Sequence, residues 1–277
     1  MRTNTAVFCT LLLSIGAALA HEEHNNVSAA DQKAGWMLLF DGVSMNHWND
    51  PRKLNPPGNG WTIEDGCLKA LPTANINEDL ISRDTYRDFE LAWDWRISRG
   101  GNSGVKYRVQ GLPVLDTAER KPGVRGFENM VNEALKKQLF QRSAIAAYKK
   151  PQIYVIGFEY QILDNAANED AKVGGIHQTG ALYDILAPSR DASLPVGQFN
   201  HSRVLVRGNH FEHWLNGTKV VDVDVNAEML RTALDKRWGE NSPVADLLAR
   251  QPKKDCPITL QNHNSAAWFR DIKIRKL

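Results

Sequence analysis

The chain has 277 residues and carries 34 Lys and Arg against 32 Asp and Glu, which gives a net charge of +2 with the histidines neutral. So small a net charge offers no electrostatic reason to expect nucleic acid or an anionic membrane as a partner. Beyond the first 20 residues no apolar stretch approaches the roughly 18 residues of a membrane-spanning helix, so we expect no integral membrane segment in the mature chain.

The N-terminus has the pattern of a secretory signal peptide. Arg2 supplies the basic start, residues 6–18 form the apolar run, and Ala18-Leu19-Ala20 is a small-x-small cleavage site. We therefore predict that residues 1–20 are removed near Ala20. The mature protein is then expected to be periplasmic or secreted.

The mature chain divides into a short lead and one domain. Residues 21–34 are polar and lack an apolar period, which predicts a flexible N-terminal lead. Residues 35–277 are expected to form one domain, because β-sandwiches of this length fold around a single core. Cys67 and Cys256 are the cysteines that remain after cleavage, and an oxidising compartment permits a disulfide between them without requiring one.

Short alternating runs separated by Gly, Pro and Asn predict an all-β sandwich. Residues 89–97 place apolar side chains on one parity and mostly polar ones on the other, so this strand is expected to bury one face. Residues 103–109 repeat the pattern after a Gly-Gly-Asn turn, and we predict that they form the antiparallel neighbour of the first strand. Residues 154–163 also alternate and have one polar face.

The second half of the chain predicts a meander, two helical insertions and a closing pair of strands. Two turns within residues 204–225, Gly208-Asn209 and Asn216-Gly217, indicate a three-stranded meander. Residues 258–263 and 268–274 are predicted to complete a sheet. Two segments depart from the strand pattern. Residues 128–148 have apolar positions at helical spacing, which predicts a helical insertion. Residues 226–250 are predicted to form two short helices, the second of which begins at Ser242-Pro243.

The polar faces of four predicted strands carry side chains that suit hydrogen bonding to sugar hydroxyls. They are Asp94, Arg96, Lys106, Arg108, Glu159, Gln161, Gln261 and His263. If the strands are neighbours, these side chains line one concave sheet, whereas the alternative is an ordinary solvent-facing surface. Glu159 and Asp94 could act as acid and base on a glycosidic bond. His263 could be a general base, a group that polarises a carbonyl, or a metal ligand.

The sequence assigns no definite metal site and excludes several enzyme classes. His210 and Glu212 share one parity of a predicted strand and His213 has the other, so a regular strand cannot direct all three at one ion. A sugar contact beside the turn, or an ordinary surface, fits this segment better. The chain contains no phosphate loop, paired Cys-x-x-Cys site, nucleophile elbow or dinucleotide fingerprint.

Several motifs occur in a recognisable order along the chain. They are Gly35-Trp36-Met37-Leu38-Leu39-Phe40-Asp41-Gly42, Asn102-Ser103-Gly104-Val105-Lys106-Tyr107-Arg108, Glu159-Tyr160-Gln161-Ile162-Leu163-Asp164, Trp214-Leu215-Asn216-Gly217, Leu260-Gln261-Asn262-His263 and Phe269-Arg270-Asp271-Ile272. Together they resemble the 3-keto-disaccharide hydrolase family over residues 35–277. The resemblance implies a concanavalin-like jelly roll of two antiparallel sheets.

The resemblance also implies a substrate class and a chemistry. Members of the family are linked to glycosides that are already oxidised at the sugar 3-position. The ketone acidifies the neighbouring C2 proton and opens an elimination route to cleavage of the C1 bond. Such a reaction needs a base and a group that stabilises the enolate, and a bound divalent metal ion could serve the second purpose.

Carried over to this sequence, the resemblance implies Glu159 and His263 as the acid or base groups. Lys106, Arg108 and Gln161 become substrate binders, and Asp94, Arg96, Gln261, Asp164 and Tyr183 complete the predicted binding set. The chain has Asn262 and Asp271 where many relatives have Asp and Asn. Two alternatives to an enzyme remain open: a non-catalytic, lectin-like carbohydrate-binding module of the cell envelope, and an interaction protein that uses the helical insertions as its partner surface.

Overall fold

The computed structural model describes residues 24–50, 59–72, 79–123, 125–137, 148–250 and 254–277. The predicted signal peptide and most of the second half of the predicted helix over 128–148 lie outside these ranges. No helix in the described part of the chain combines the length and the apolar character that crossing a membrane would require.

The fold is mostly β, with four α-helices and a few short 3-10 turns in the described residues. The strands are β1 (Met37–Leu38), β2 (Trp48–Asn49), β3 (Trp61–Glu64), β4 (Cys67–Ala70), β5 (Leu80–Ser82), β6 (Phe89–Ile97), β7 (Asn102–Gly111), β8 (Val114–Asp116), β9 (Pro151–Ile153), β10 (Ile156–Leu163), β11 (Asn200–Arg207), β12 (His210–Leu215), β13 (Thr218–Asp224), β14 (Thr259–Leu260) and β15 (Ala267–Lys276). The helices are α1 (Ala29–Lys33), α2 (Gly126–Lys136), α3 (Ala227–Trp238) and α4 (Pro243–Ala249).

Two antiparallel sheets form the sandwich. The larger has the order β13-β12-β11-β6-β15-β4-β3, with β1 also paired to β15. The smaller has the order β10-β7-β14-β5-β2, and β8 and β9 make a separate two-stranded ribbon. This architecture confirms the predicted all-β jelly roll of two antiparallel sheets.

Aromatic side chains from both sheets meet in the core. Trp93 of β6 lies edge-on to Tyr160 of β10, with ring centroids 5.1 Å apart, and Phe158 packs against Phe211 at 4.8 Å. The apolar parity predicted for residues 89–97 is confirmed, since every apolar side chain of that parity is buried. The other face is only partly exposed, because Glu90 and Ala92 are buried as well. Burial of side chains of this size is the main stabilising contribution to such a sandwich.

A buried histidine joins the two sheets within this core. His213 of β12 donates from Nδ1 to the carbonyl of Gly180 at 2.9 Å, and its Nε2 accepts from the Tyr107 hydroxyl at 2.8 Å. Burial lowers the pKa of His213 to about 4, so the ring is neutral at physiological pH. The opposite parities predicted for His213 and Glu212 are also observed, because Glu212 lies on the outer side.

The prediction that residues 89–97 and 103–109 form neighbouring strands is wrong. β6 pairs with β11 and β15 in the larger sheet, whereas β7 pairs with β10 and β14 in the smaller one. The turn between them crosses from one sheet to the other, so that Phe89 and Tyr107 meet across the core at 6.3 Å. An alternating pattern identifies the buried face of a strand but does not identify the sheet that contains it.

The meander and the later helices are confirmed. β11, β12 and β13 pair in sequence, and Asn216 and Gly217 both have positive φ, as the tight hairpin turn requires. The helix α3 begins after Asn226, whose side chain accepts from the Met229 amide, and it buries Leu230, Leu234 and Trp238 along one face. The helix α4 begins at Pro243 after a Ser242 cap.

Two further predictions concern the N-terminal lead and the cysteines. Within the predicted flexible lead, α1 packs onto the larger sheet, where Asp31 pairs with Lys273 of β15 at 2.8 Å. The backbone amide of Asn25 also donates to Asp271, so this part of the lead has defined contacts. Cys67 and Cys256 are both buried and form no disulfide with each other.

Candidate active site

A cleft of about 1140 Å³ opens on the outer face of the smaller sheet. Its floor comes from β7, β10 and the residues that follow β14, and the helical insertions form part of its wall. Phe127 and Glu128 of α2 and Arg237 of α3 line that wall. The insertions therefore form the rim of a pocket.

Strand alternation directs the polar side chains of the floor into the cleft. Val105 and Tyr107 of β7 are buried in the core, so Lys106 between them points to the outer face. Lys106 lies opposite Glu159 of β10 and Thr259 of β14 in the strand register. This register places Glu159 beside Lys106 on the cleft floor.

Lys106 lies between two carboxylates. Its Nζ is 3.8 Å from Oε2 of Glu159 and 3.9 Å from Oδ2 of Asp79, and its side chain is only 5% exposed. The backbone amide of Asn262 donates to Asp79 Oδ1 at 3.1 Å and fixes the second carboxylate. The floor thus carries two acidic groups that share one ammonium.

Burial and these neighbours shift the titration of the floor residues. Burial raises the pKa of Glu159 to about 6, Lys106 opposes that rise, and Asp79 adds to it. Burial would lower the pKa of Lys106, but Glu159 and Asp79 outweigh it and raise the pKa above its ordinary value. At neutral pH Glu159 is therefore largely ionised, and a modest fall in pH protonates it.

His263 stands at the cleft rim with an exposed side chain. Desolvation by the surrounding protein lowers its pKa, and the Lys106 cation lowers it further. The imidazole is therefore neutral at physiological pH. In that form one ring nitrogen can accept a proton while the other donates a hydrogen bond.

Two glutamine side chains of the cleft carry buried oxygens without hydrogen-bond partners. Gln161 is 1% exposed, and neither its Oε1 nor that of Gln261 has a hydrogen-bond partner among the described residues. Both residues line the cleft. Because buried polar groups are nearly always satisfied, each amide is available for a hydrogen bond to a sugar hydroxyl once its side chain turns toward the cleft.

Tyr183 reaches the cleft because its segment runs along the edge of β10. Its backbone amide donates to the carbonyl of Glu159 at 3.0 Å. Its hydroxyl donates to Asp170 Oδ2 at 3.1 Å, and its ring stacks on His177 with centroids 4.5 Å apart. The tyrosine is thus anchored next to the floor carboxylate.

The cleft gathers six of the ten residues predicted for the site. They are Lys106, Glu159, Gln161, Tyr183, Gln261 and His263. The remaining four, Asp94, Arg96, Arg108 and Asp164, do not line it.

Asp94 and Arg96 lie on the outer face of the larger sheet, so the prediction that they share a face with Glu159 is wrong. Asp94 hydrogen-bonds His201 at 2.8 Å, and Arg96 stacks over the Trp268 ring at 4.5 Å. The reason is the sheet assignment of β6, which turns its polar parity away from the cleft. Asp94 therefore cannot form a carboxylate pair with Glu159.

Arg108 and Asp164 hold the backbone together outside the cleft. Arg108 has φ 51° at an irregular point of the β7–β10 ladder, and its buried guanidinium binds Asp88 at 3.0 Å and the Gly208 carbonyl at 2.9 Å. Asp164 accepts from the amide of Gly100 at 2.7 Å and closes a turn. Strand alternation fails at Arg108 because of the bulge.

Five further residues of the site or its support were not predicted: Asp79, Asp170, His177, Asp184 and Arg237. They belong to loops and to a helix end, where no periodicity indicates a direction. One sequence signal was available, since the connection between β10 and β11 is longer than loops without a function usually are. Three of the five lie in that connection.

One cluster of metal-ligating groups occurs in the described residues, and it lies away from the cleft. His210, Glu212 and Asp222 offer ligand atoms within 4.8 Å of one another on β12 and β13. The Lys219 ammonium already binds Glu212 Oε1 at 3.0 Å and Asp222 Oδ2 at 2.6 Å. A cation would have to displace Lys219 to use these carboxylates.

The fold defines a jelly-roll protein with a polar cleft on one sheet. Two solved structures of candidate glycosyl hydrolases from Parabacteroides distasonis share the fold, and each is 24% identical to this chain. The alignment with the first covers 92% of this chain and 100% of that protein, with a TM-score of 0.66. The alignment with the second covers 87% of this chain and 99% of that protein, with a TM-score of 0.56. The chain belongs to the family described as the 3-keto-alpha-glucoside-1,2-lyase-like domain, whose model matches residues 35–275.

A curated relative agrees with this assignment. The 3-keto-disaccharide hydrolase of Bacteroides thetaiotaomicron is 27% identical over 278 residues, which cover 96% of this chain and 86% of the relative. The resemblance inferred from the ordered motifs is therefore confirmed. The family makes the chain an enzyme of the glycoside hydrolase or lyase type.

Proposed function

We propose that the protein cleaves 3-keto-glycosides by removing the proton at C2 and expelling the substituent at C1. The observation that carries this proposal is the floor of the cleft, where Glu159 lies 3.8 Å from the Lys106 ammonium and has its pKa raised to about 6. A carboxylate with such a pKa is a suitable general base near neutrality. The family and the curated relative supply the substrate class.

The proposed reaction is a proton abstraction at C2 by Glu159, followed by elimination of the substituent at C1. Glu159 takes the C2 proton, and the C2–H electron pair forms an enolate with its negative charge on the C3 oxygen. That charge then reforms the C3 carbonyl, a C1–C2 double bond forms, and the C1–O bond breaks. The leaving oxygen takes up a proton, and addition of water to the C1–C2 double bond would complete a net hydrolysis.

Each residue of the cleft has a role in this scheme. Lys106 supplies the positive charge that stabilises the enolate, and it costs no reorganisation because the two carboxylates already hold it in place. Gln161 and Gln261 accept hydrogen bonds from sugar hydroxyls. His263, at the rim, donates a hydrogen bond from its neutral ring to the leaving oxygen, which takes its proton from Glu159 or water. Tyr183 borders the sugar.

The test is aglycone release from a chromogenic 3-keto-glucoside by the purified protein, with and without a chelator. We expect release from the ketone substrate and none from the unoxidised glucoside, because only the ketone acidifies C2. A chelator that stops the reaction would add a divalent metal ion to the scheme. Absence of release under every metal condition would refute the proposal, and saturable sugar binding without turnover would favour the lectin-like alternative.

The pH dependence should follow Glu159. We expect kcat/KM for the 3-keto-glucoside to rise as the pH passes upward through about 6, because the base must be ionised in the free enzyme. The measurement is a pH–rate profile at constant ionic strength. A rate that falls with rising pH across this region would contradict the assignment of Glu159 as the base.

Gly104 is expected to be essential for activity for a steric reason. Gly104 lies on β7 next to the Glu159 side chain of β10. A Cβ atom at this position would collide with Glu159 Oε1. Gly104→Ala should therefore displace the carboxylate and reduce kcat by roughly 10²-fold, with little loss of stability because a flexible side-chain end can move. Gly111→Ala on the same strand is the matched control, since its nearest neighbour would be 3.5 Å away. Equal activities of the two variants would contradict the prediction.

A further inference from the structure

His177 is held between two carboxylates just behind the cleft wall. Its Nδ1 lies 2.7 Å from Asp170 Oδ1 and its Nε2 lies 2.8 Å from Asp184 Oδ1, and the residue is buried. Both ring nitrogens therefore donate, which requires the imidazolium form. Burial alone would lower the pKa of His177, but the two carboxylates outweigh it and raise the pKa to about 9.

The imidazolium connects two residues that line the cleft. Asp170 also accepts the hydroxyl hydrogen bond of Tyr183 at 3.1 Å, and Asp184 binds Nη1 of Arg237 at 2.6 Å. The ring of His177 stacks on that of Tyr183. A single buried cation thus fixes a tyrosine and an arginine that lie side by side, with Arg237 Cζ 5.6 Å from the centre of the Tyr183 ring.

This cluster borders the proposed base. Glu159, Tyr183, Asp184 and Arg237 all line a second, smaller cavity of about 40 Å³ behind the floor. The charge on Arg237 lowers the pKa of Glu159, and the charge on Asp184 raises it. The charged and titratable groups in contact with His177 are Asp170, Tyr183 and Asp184, and Arg237 is reached through Asp184.

We propose that His177 is a positioning residue for the reaction proposed above, on which this inference rests. It fixes Tyr183 and Arg237 in the walls of the cleft and compensates the charges of Asp170 and Asp184 beside the base. His177 itself does not touch the reacting atoms in this scheme.

The test compares His177→Phe with Asp170→Asn. Phenylalanine keeps the stack on Tyr183 but leaves the charges of both carboxylates uncompensated. We expect kcat to fall roughly 10²-fold. The pKa of Glu159 should rise, so the acid limb of the kcat/KM profile should move to higher pH by about half a unit. Asp170→Asn removes a negative charge and leaves the imidazolium in excess, so its acid limb should move to lower pH. Opposite shifts distinguish charge compensation from a general structural role.

Controls separate the possible failures. His201→Phe removes a histidine that also binds a carboxylate, Asp94 at 2.8 Å, but on the other sheet, and it should leave the profile unchanged. If His177→Phe does not fold, the direction in which Asp170→Asn moves the acid limb of the kcat/KM profile tests the inference. Imidazole added to His177→Ala should also restore part of the rate. Folded variants with an unshifted limb and wild-type kcat would overturn the inference while leaving the proposed function intact. A wild type that cleaves no 3-keto-glucoside would overturn both.

Discussion

Glu159→Gln should abolish cleavage of 3-keto-glycosides and leave the fold intact. The amide is nearly isosteric with the carboxylate but cannot take the C2 proton, so we expect kcat to fall by roughly 10²- to 10⁴-fold. Binding of the 3-keto sugar should persist, because the amide side chains of Gln161 and Gln261 that line the cleft are unchanged. Steady-state kinetics, calorimetric binding and thermal unfolding on one preparation measure the three effects separately.

Asp94→Asn is the matched control for this variant. Asp94 is also a strand carboxylate, but it lies on β6 and binds His201 on the outer face of the larger sheet. Its replacement should leave kcat within about twofold of the wild type. If Asp94→Asn lost activity and Glu159→Gln kept it, the site would belong on the other face of the sandwich.

Lys106→Met should reduce both activity and stability. The enolate loses its counter-charge, so kcat should fall by roughly 10²- to 10³-fold. Removing one partner of a buried ion pair costs about 3–5 kcal/mol in measured cases, because the remaining charge is left without compensation. The pKa values of Glu159 and Asp79 should rise, since Lys106 lowers both, and the acid limb of the activity profile should move to higher pH.

The stability of this variant should depend on pH in a defined sense. A carboxyl whose folded pKa lies above its unfolded value binds more protons in the native state, so the free energy of unfolding decreases as the pH rises through that interval. Lys106→Met should therefore regain stability as the pH falls through the raised folded pKa values of Glu159 and Asp79, and regain it fully below about pH 3.9, the lower of the two unfolded pKa values. Chemical unfolding at several pH values measures this.

Lys69→Met is the control for the lysine variant. Lys69 binds Glu64 at 2.7 Å. It lies on β4 of the larger sheet, whereas the cleft floor is formed by the smaller sheet. Its loss should cost at most about 1 kcal/mol and leave the pH profile unchanged. Identical profiles for the two lysine variants would show that Lys106 has no special influence on the base.

Much of the fold could be predicted because local chemistry determines it. The Asn216-Gly217 pair supplies the positive φ angles of a hairpin. The apolar parity of residues 89–97 is buried as its polarity requires. Sheet membership could not be predicted, since β6 and β7 face each other across the core although they adjoin in sequence. Two strands that pair and two strands that stack have the same alternating pattern.

The site was predictable where regular strands carry it. Lys106, Glu159 and Gln161 lie at successive outward positions of β7 and β10, so parity alone placed them on one face. Arg108 was misplaced because its positive φ breaks the alternation. His177 and Arg237 were missed because their positions depend on how a loop and a helix end pack against the sheet, which no local pattern encodes.

The position of β15 has a consequence for how the protein folds. This strand, residues 267–276, lies inside the larger sheet between β6 and β4. The strand β14 lies inside the smaller sheet, and the cleft residues Gln261 and His263 follow it directly in the sequence. Neither sheet can close its hydrogen-bond ladders until the strands within residues 259–276 have been synthesised. Contacts between segments so distant in sequence also make folding slow. The domain should therefore remain incompletely folded on the ribosome, and the cleft should be among the last parts of the molecule to form.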